Sequence, residues 1–337
     1  MLADLVPQVL AGSRRALARL LSHVERGEAS AELQALYPHT GRAWVIGVTG
    51  SPGSGKSSLV NALTQYYRAQ GETVAILAVD PSSPFSGGAI LGDRIRMRDL
   101  SGDSGVFIRS MATRGSLGGL ARATRDMVRA IDAAGFDRIL LETVGAGQSE
   151  IEVARVAYTT IVVEAPGMGD DIQAIKAGIL EIADVLVVNK ADRVGASQTA
   201  RALKTMLELG HPPTRVMHHG QSMAVAAVST PTAEWIPEVV MTVATERKGI
   251  VELAAAIEAH RQHRQRQHNG ALDPAAVRAE LLERAREALF QQWLQALPPD
   301  TIEALVAQIQ QRTIDPQTAV QQLLALPPAQ EHRDARS

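Results

Sequence analysis

Between Ala43 and about Ile257 the chain repeats one pattern: a short apolar run, a polar or glycine-rich break, then a longer stretch of helical spacing. The apolar runs fall at 44–49, 73–79, 105–108, 138–141, 159–164, 184–188 and 239–243. Short and apolar along most of their length, they read as strands buried on both faces. After the first run, Leu59, Val60, Leu63, Tyr66 and Tyr67 recur at helical spacing, and Gly71 supplies a stop. Strand and helix in alternation predict an α/β fold with a mostly parallel sheet covered on both sides. In such a sheet ligands bind at the carboxyl ends of the strands.

The flanks carry a different pattern. In residues 1–42, Leu17, Leu20, Leu21 and Val24 make one helical face, with Ser13 as N-cap and Gly27 as stop. Leu33 and Leu36 mark a second short helix before Pro38, so this segment reads as an N-terminal helical extension. The run HRQHRQRQH, with His260, His263 and His268, has no cysteine or acid within it and reads as a solvated basic helix. Asp273-Pro274 and Asp315-Pro316 each set an N-cap before a proline at the first helical position. Val277, Leu281, Leu282, Ala285, Leu289, Phe290, Trp293 and Leu294 then form a broad apolar stripe. Such a stripe needs a partner surface, either this chain's own or a second copy's. The expected domains are therefore 1–42, 43–260 and a C-terminal helical arm at 261–337. Residues 211–235, rich in Pro, His and Thr, read as an inserted surface loop; the adjacent His218 and His219 have poor geometry for chelation.

Composition narrows the classes. The chain has 337 residues, enough for one large α/β domain with additions. Aromatic residues make up only 3%, so the core must be built mostly from Val, Leu, Ile and Ala. A formal net charge of −2 gives no reason to expect nucleic acid. No cysteine is present, which excludes disulfides and thiolate metal sites and fits a reducing cytoplasm. No apolar run approaches the roughly 18 residues a membrane span needs, so no membrane partner is expected.

The candidate chemistry lies where the strands end. The first is followed by GSPGSGKS, comprising Gly50, Ser51, Pro52, Gly53, Ser54, Gly55, Lys56 and Ser57, with Ser58 next. This fits G-x-x-x-x-G-K-[ST] between a strand and a helix, the context the phosphate-binding loop requires. Its glycines let backbone N–H groups turn inward, and the helix N-terminus adds partial positive charge. Lys56 would reach the β and γ phosphates, and the Ser57 hydroxyl would hold Mg²⁺. The second strand ends at Asp80 and a polar loop runs on to Asp93. Both carboxylates suit Mg²⁺, and both equally suit an Asx turn and a helix N-cap. Arg94, Arg96 and Arg98 read as a solvated helix face. The strand RILL leads into Glu142 and, three residues on, Gly145. The carboxylate would orient a Mg²⁺-bound water and the glycine N–H would contact the γ-phosphate. Ala146 stands where Ras-like GTPases carry a water-orienting glutamine, so hydrolysis is expected to be slow, with Gln148 the nearby substitute. The strand TTIVVE opens onto 165–176, made mobile by Gly167 and Gly169, where Asp170 or Asp171 would cap a helix.

The strand DVLVV ends in NKAD. The Asp192 carboxylate can accept two parallel hydrogen bonds from guanine N1–H and N2–H₂, a donor pair adenine lacks. Asn189 would hold the N7/O6 edge and the neighbouring loop, and the Lys190 stem would lie along the base. Together with a phosphate loop, this selects GTP over ATP. After the last strand Ala244 would offer its N–H to guanine O6, with Val243 replacing the usual serine.

GSPGSGKS, DPSSPFSGGAILGDR, FIRSMATRGSLGGL, ETVGAGQSE, PGMGDDIQAIKAG and NKAD occur together and in this order. Over roughly residues 14–300 the set resembles the MeaB/ArgK family of methylmalonyl-CoA mutase-associated GTPases, which are phosphate-loop proteins. The resemblance implies a GTPase chaperone that gates adenosylcobalamin loading and protects or reactivates an acyl-CoA mutase. It implies a homodimer joined through the C-terminal arm, with an adenosyltransferase as a further candidate partner. It assigns Asp80, Asp93 and Glu142 to the Mg²⁺ site. It makes 80–98, 142–155 and 166–176 three switches, with Gln173 and Lys176 of the third responding to the mutase. Two competing readings are a transport-associated kinase, against which NKAD and the lack of an evident second-substrate pocket count, and a nickel-delivering GTPase, against which the lack of cysteine counts.

Overall fold

The structure, a computed structural model, describes residues 2–80, 100, 102–112, 117–143, 153–167, 182–210, 215–218, 221–224, 235–268 and 273–325. The seven predicted runs become strands β1 (Trp44–Gly50), β2 (Val74–Asp80), β3 (Val106–Ala112), β4 (Arg138–Thr143), β5 (Thr159–Glu164), β6 (Val185–Val188) and β9 (Glu238–Met241). They form one sheet in the order β3-β2-β4-β1-β5-β6-β9, every pair parallel. The chain divides into two compact units, Met1–Gln267 and His268–Ser337.

Alternation along the strands explains the layers. Val45, Leu77, Ile139 and Leu141 point to one face, where they share a core with helices α1 (Leu5–Leu10), α2 (Arg14–Glu25), α3 (Ser30–Leu36) and α5 (Leu117–Ala133). Ile46, Val48, Ile76, Leu140, Ile161 and Val163 point to the other, against α4 (Lys56–Ala69) and α7 (Ile250–His268). A smaller cluster joins Val162, Leu186 and Val188 to α6 (Ala196–Gly210). The N-terminal helices are thus built into the main core. Ser13 caps α2 by accepting from Ala16 N–H, and Leu17, Leu20, Leu21 and Val24 are buried as the spacing predicts.

Two readings change. Where 211–235 reads as a loop, β7 (Arg215–His218) and β8 (Gln221–Ala224) pair antiparallel. Four-residue strands are too short to leave a clear period in the sequence. The basic run after residue 258 is not wholly solvated either, because His260 is 3% exposed. It ends a chain of donors at the amino end of the sheet. Trp44 Nε1–H donates to Thr159 Oγ1 at 3.0 Å, and the Thr159 hydroxyl then donates to His260 Nδ1 at 2.9 Å. That leaves His260 Nε2–H for Asp184 Oδ1 at 3.2 Å. Trp235 lies against the His260 ring, at 4.9 Å between centroids, and donates Nε1–H to the Asp184 carbonyl.

The second unit holds α8 (Pro274–Ala296), α9 (Thr301–Gln310) and α10 (Pro316–Ala325). Asp273 and Asp315 cap α8 and α10 as read, accepting from Ala275 and from Gln317 and Thr318 N–H. On α8, Val277, Leu281, Leu282, Leu289 and Phe290 are 47–66% exposed. No helix among the described residues is long and apolar enough to cross a membrane.

Burial pushes the half-buried Asp184 up to about 6 and His260 down to about 4. A raised carboxyl binds its proton more tightly when folded, so Asp184 adds stability as pH falls from about 6 towards its ordinary value. A lowered imidazole binds its proton less tightly when folded, so His260 removes stability as pH falls from its ordinary value towards about 4. The two oppose each other over the same window. Asp184→Asn is therefore expected to lose stability between pH 6.5 and 4 more steeply than the wild type, and His260→Gln to lose it less steeply or gain. Urea midpoints across that range check this, and parallel profiles for all three proteins would refute it.

Candidate functional site

Gly50 closes β1 at φ +130°, where a β carbon would stand 2.1 Å from the Val163 carbonyl oxygen. Only glycine lets β1 pass β5 there and turn into the loop. The loop ends at Gly55, at φ +95°, and α4 starts with Lys56. A β carbon on Gly55 would lie 2.4 Å from Asn189 Nδ2, so this second glycine makes room for the loop after β6. The first turn of α4 leaves N–H groups without helical carbonyl partners, facing the loop.

The side chains converge from five strand ends. Lys56, 6% exposed, donates from Nζ to the carbonyls of Gly50 at 2.7 Å and Ser51 at 3.1 Å. Ser57 Oγ donates to Glu142 Oε1 at 2.5 Å. Glu142 is buried on β4, level with Val48 of β1. After β6, Asn189 donates from Nδ2 to the Ser54 carbonyl at 2.9 Å. Its Oδ1 accepts from Thr242 Oγ1 and from Ala244 N–H, both at 3.1 Å. The N–H that the sequence offers to guanine O6 thus bonds Asn189 in this arrangement. Lys190, at φ +56°, donates from Nζ to the Gly53 carbonyl at 2.6 Å. Pro52, Gly53, Ser58 and Asp192 are exposed.

Asp93, Gly145, Gln173 and Lys176 lie outside the described residues, as do Ala146 and Gln148. Asp80 closes β2 level with Ala112, and its side chain also lies outside the described set. Two groups near the site are missed by the sequence reading. Lys248 is held charged first by its hydrogen bond to Glu246, at 2.7 Å, and further by the Asp192 carboxylate. Glu164, 6% exposed, accepts from Ser51 Oγ. An acid closing an apolar strand is the signal that picks out Glu142, and it applies equally to Glu164.

The arrangement offers a helix N-terminus, a fixed ammonium and paired hard oxygens, which suits a polyphosphate. An exposed carboxylate beside a lysine stem suits a planar base with adjacent donors. The family model described as methylmalonyl Co-A mutase-associated GTPase MeaB matches residues 17–297. The chain belongs to the MeaB family of GTPases. A Pyrococcus abyssi relative is 47% identical over 268 residues, 79% of this chain and 78% of its own. The mouse methylmalonic aciduria type A homolog, mitochondrial, is 36% identical over 208 residues, 62% of this chain and 46% of its own. The crystal structure of LAO/AO transport system kinase superposes with a TM-score of 0.67 at 27% identity, covering 96% of both chains. As a MeaB-family protein the chain binds guanine nucleotide and hydrolyses GTP.

Asp192→Asn is expected to weaken GTP binding by about one to two decades, the loss of one charge-assisted pair at about 1.5–3 kcal/mol. Binding of a xanthine nucleotide should improve, because its ring presents an acceptor where guanine presents a donor. Calorimetry with both nucleotides checks this, and unchanged GTP affinity would move base recognition elsewhere.

Proposed function

We propose that this chain is the GTPase chaperone of an adenosylcobalamin-dependent acyl-CoA mutase, gating cofactor loading and protecting or reactivating the mutase. The observation that carries the reading is the match, over residues 17–297, to a family described as mutase-associated. The mouse relative, named for methylmalonic aciduria, supports it. The solved relative called a transport kinase is the ground for a kinase reading; an assay that finds free phosphate and no phosphorylated acceptor would decide against it. On the nickel-delivery reading, the described residues bring together no group of three or more His, Asp or Glu.

In this reading Gly50, Ser51, Pro52, Gly53, Ser54, Gly55, Lys56, Ser57 and Ser58 form the phosphate cradle. Lys56 neutralises β and γ oxygens. Asn189, Lys190, Asp192 and Ala244 form the base site, Asn189 by bracing the loops and Asp192 by reading the ring. Ser57, Asp80, Asp93 and Glu142 would hold Mg²⁺. The direct contact of Ser57 with Glu142 fits that role, because it gathers hard oxygen donors at the loop. Bound Mg²⁺ would supply charge neutralisation on the β and γ oxygens. Glu142 would then orient water, with Gly145, Gln173 and Lys176 completing the catalytic set. The protein would act in the cytoplasm, with the mutase and an adenosyltransferase as partners. It would be a homodimer joined through the 261–337 arm, a role supported by the exposed apolar residues of α8.

Truncation before Asp273 is expected to yield a monomer by light scattering, and an unchanged dimer would relocate the interface. Hydrolysis is expected to be slow alone and to rise on adding the mutase, by about 10³-fold if a cation is delivered to the phosphates. Single-turnover assays on wild type and Lys176→Ala test this. A mutant that keeps full stimulation, while Lys56→Ala abolishes hydrolysis, would remove Lys176 from the mechanism and leave the phosphate-loop assignment standing.

A further inference from the structure

Glu164, the last residue of β5, lies between the two loops that meet the nucleotide and bonds to both. Its carboxylate accepts the Ser51 hydroxyl, with Oγ at 2.9 Å from Oε2 and 3.1 Å from Oε1. Its backbone carbonyl accepts Asn189 N–H at 2.8 Å. Asn189 Nδ2–H donates to the Ser54 carbonyl at 2.9 Å, and Ser54 N–H donates to the Ser51 carbonyl at 3.2 Å. These contacts close a ring: Ser51, Glu164, Asn189, Ser54 and back to Ser51. The phosphate loop is therefore held at both its start and its middle, each time by way of the β5 end or the loop after β6.

We propose that Glu164 is a positioning residue for GTP binding, fixing the first turn of the phosphate loop through the Ser51 hydroxyl. Ser51 is otherwise a serine in an irregular segment with Pro52 and Gly53 exposed beside it. Its carbonyl is taken by Lys56 Nζ and Ser54 N–H, and its hydroxyl by Glu164. Turning the Ser51 peptide would break these contacts together, so the ring sets both where the loop's N–H groups point and where the Lys56 ammonium stands. A carboxylate close to an anion-binding loop opposes the ligand by Coulomb repulsion. What it offers in return is two acceptor oxygens and no donor, so either rotation of the head group preserves the bond to Ser51, and that bond is charge-assisted. The same residue ties the phosphate loop to the base-reading loop, so phosphate and base subsites are expected to be ordered together.

The inference rests on Gly50–Ser57 being the phosphate loop, which Lys56→Ala tests separately: if that variant binds and hydrolyses GTP normally, the loop assignment itself fails. With that control in place, Ser51→Ala, Glu164→Ala, Glu164→Gln and the double alanine variant are compared. Measurements are affinity for a fluorescent GDP and for a non-hydrolysable GTP analogue, kcat and KM for GTP, and thermal midpoints. Ser51→Ala and Glu164→Ala are each expected to weaken nucleotide affinity about tenfold, the worth of one hydrogen bond to a charged group. The double variant should be no worse than the weaker single one, because both remove the same contact. Glu164→Gln, which keeps one acceptor oxygen, should retain most of the affinity. A merely structural Glu164 would lower the thermal midpoint and leave affinity and KM of the folded protein unchanged. Additive losses, or a folded Glu164→Gln as impaired as Glu164→Ala, would overturn the proposal. If Glu164→Ala does not fold, Ser51→Ala decides alone, and wild-type affinity in that variant refutes the inference.

Discussion

At the carboxyl ends of β1 and β5 two main chains pass with no room for a side chain between them. A β carbon on Gly50 would fall 2.1 Å from the Val163 carbonyl oxygen, inside any permitted contact. Gly50 and Val163 are paired residues of the sheet, so relieving that clash would mean parting β1 from β5. β1 is central, with β4 on its other side, and Glu142 sits level with Val48. A shift of β1 would therefore carry Lys56 and Ser57 away from Glu142 as well. The loops that meet at the site hang from this one close approach.

The order of neighbours explains why the site lies there. β1 stands between β4 and β5, and the sheet extends outward from it in both directions, to β2 and β3 on one side and to β6 and β9 on the other. Loops leaving adjacent strands towards opposite sides open a crevice at the carboxyl ends. The amino end of the same sheet does different work. There Trp44, Thr159, His260 and Asp184 join β1, β5, α7 and the start of β6 through a linear chain of side-chain hydrogen bonds that ends on the buried His260 ring and its Asp184 partner. At one end of the sheet polar side chains gather on the phosphate-binding loop, and at the other they bond to one another between β1, β5 and α7.

Legibility in the sequence follows the same division. The seven strands are readable because a parallel sheet buried on both faces demands continuous apolar runs, and the phosphate loop because its geometry needs Gly50 and Gly55 at fixed offsets. NKAD is readable as a group at a strand end. The bonds of Asn189 to Ser54, Thr242 and Ala244 are not, because they join residues 53 to 135 positions apart and depend on which strands are neighbours. His260 escapes the sequence for the same reason. Its own helix is rich in Arg and Gln, and only the approach of Thr159 and Asp184 makes the position buried. Glu164 carries the same local signal as Glu142, yet its role needs the β1–β5 register to become visible.

The hydrogen bonds inside the loop bear on how tightly a ligand can be held. Lys56 and Lys190 both have their ammonium groups seated on loop carbonyls, at Gly50, Ser51 and Gly53. A lysine free in solvent loses about 2 kcal/mol of rotamer entropy when its head group is fixed. Here the carbonyls that fix the lysines belong to a loop itself fixed by Glu164 and Asn189, so the ordering of the ammonium groups is shared with that bracing. Asn189 is 2% exposed and Glu164 6%, so both braces are shielded from water, where hydrogen bonds are stronger and breaking one leaves a buried polar group unsatisfied. A preorganised cradle lowers the entropic cost of binding GTP and GDP alike, which favours tight holding of either nucleotide. Rate acceleration needs contacts that strengthen only in the transition state, and this bracing does not supply them.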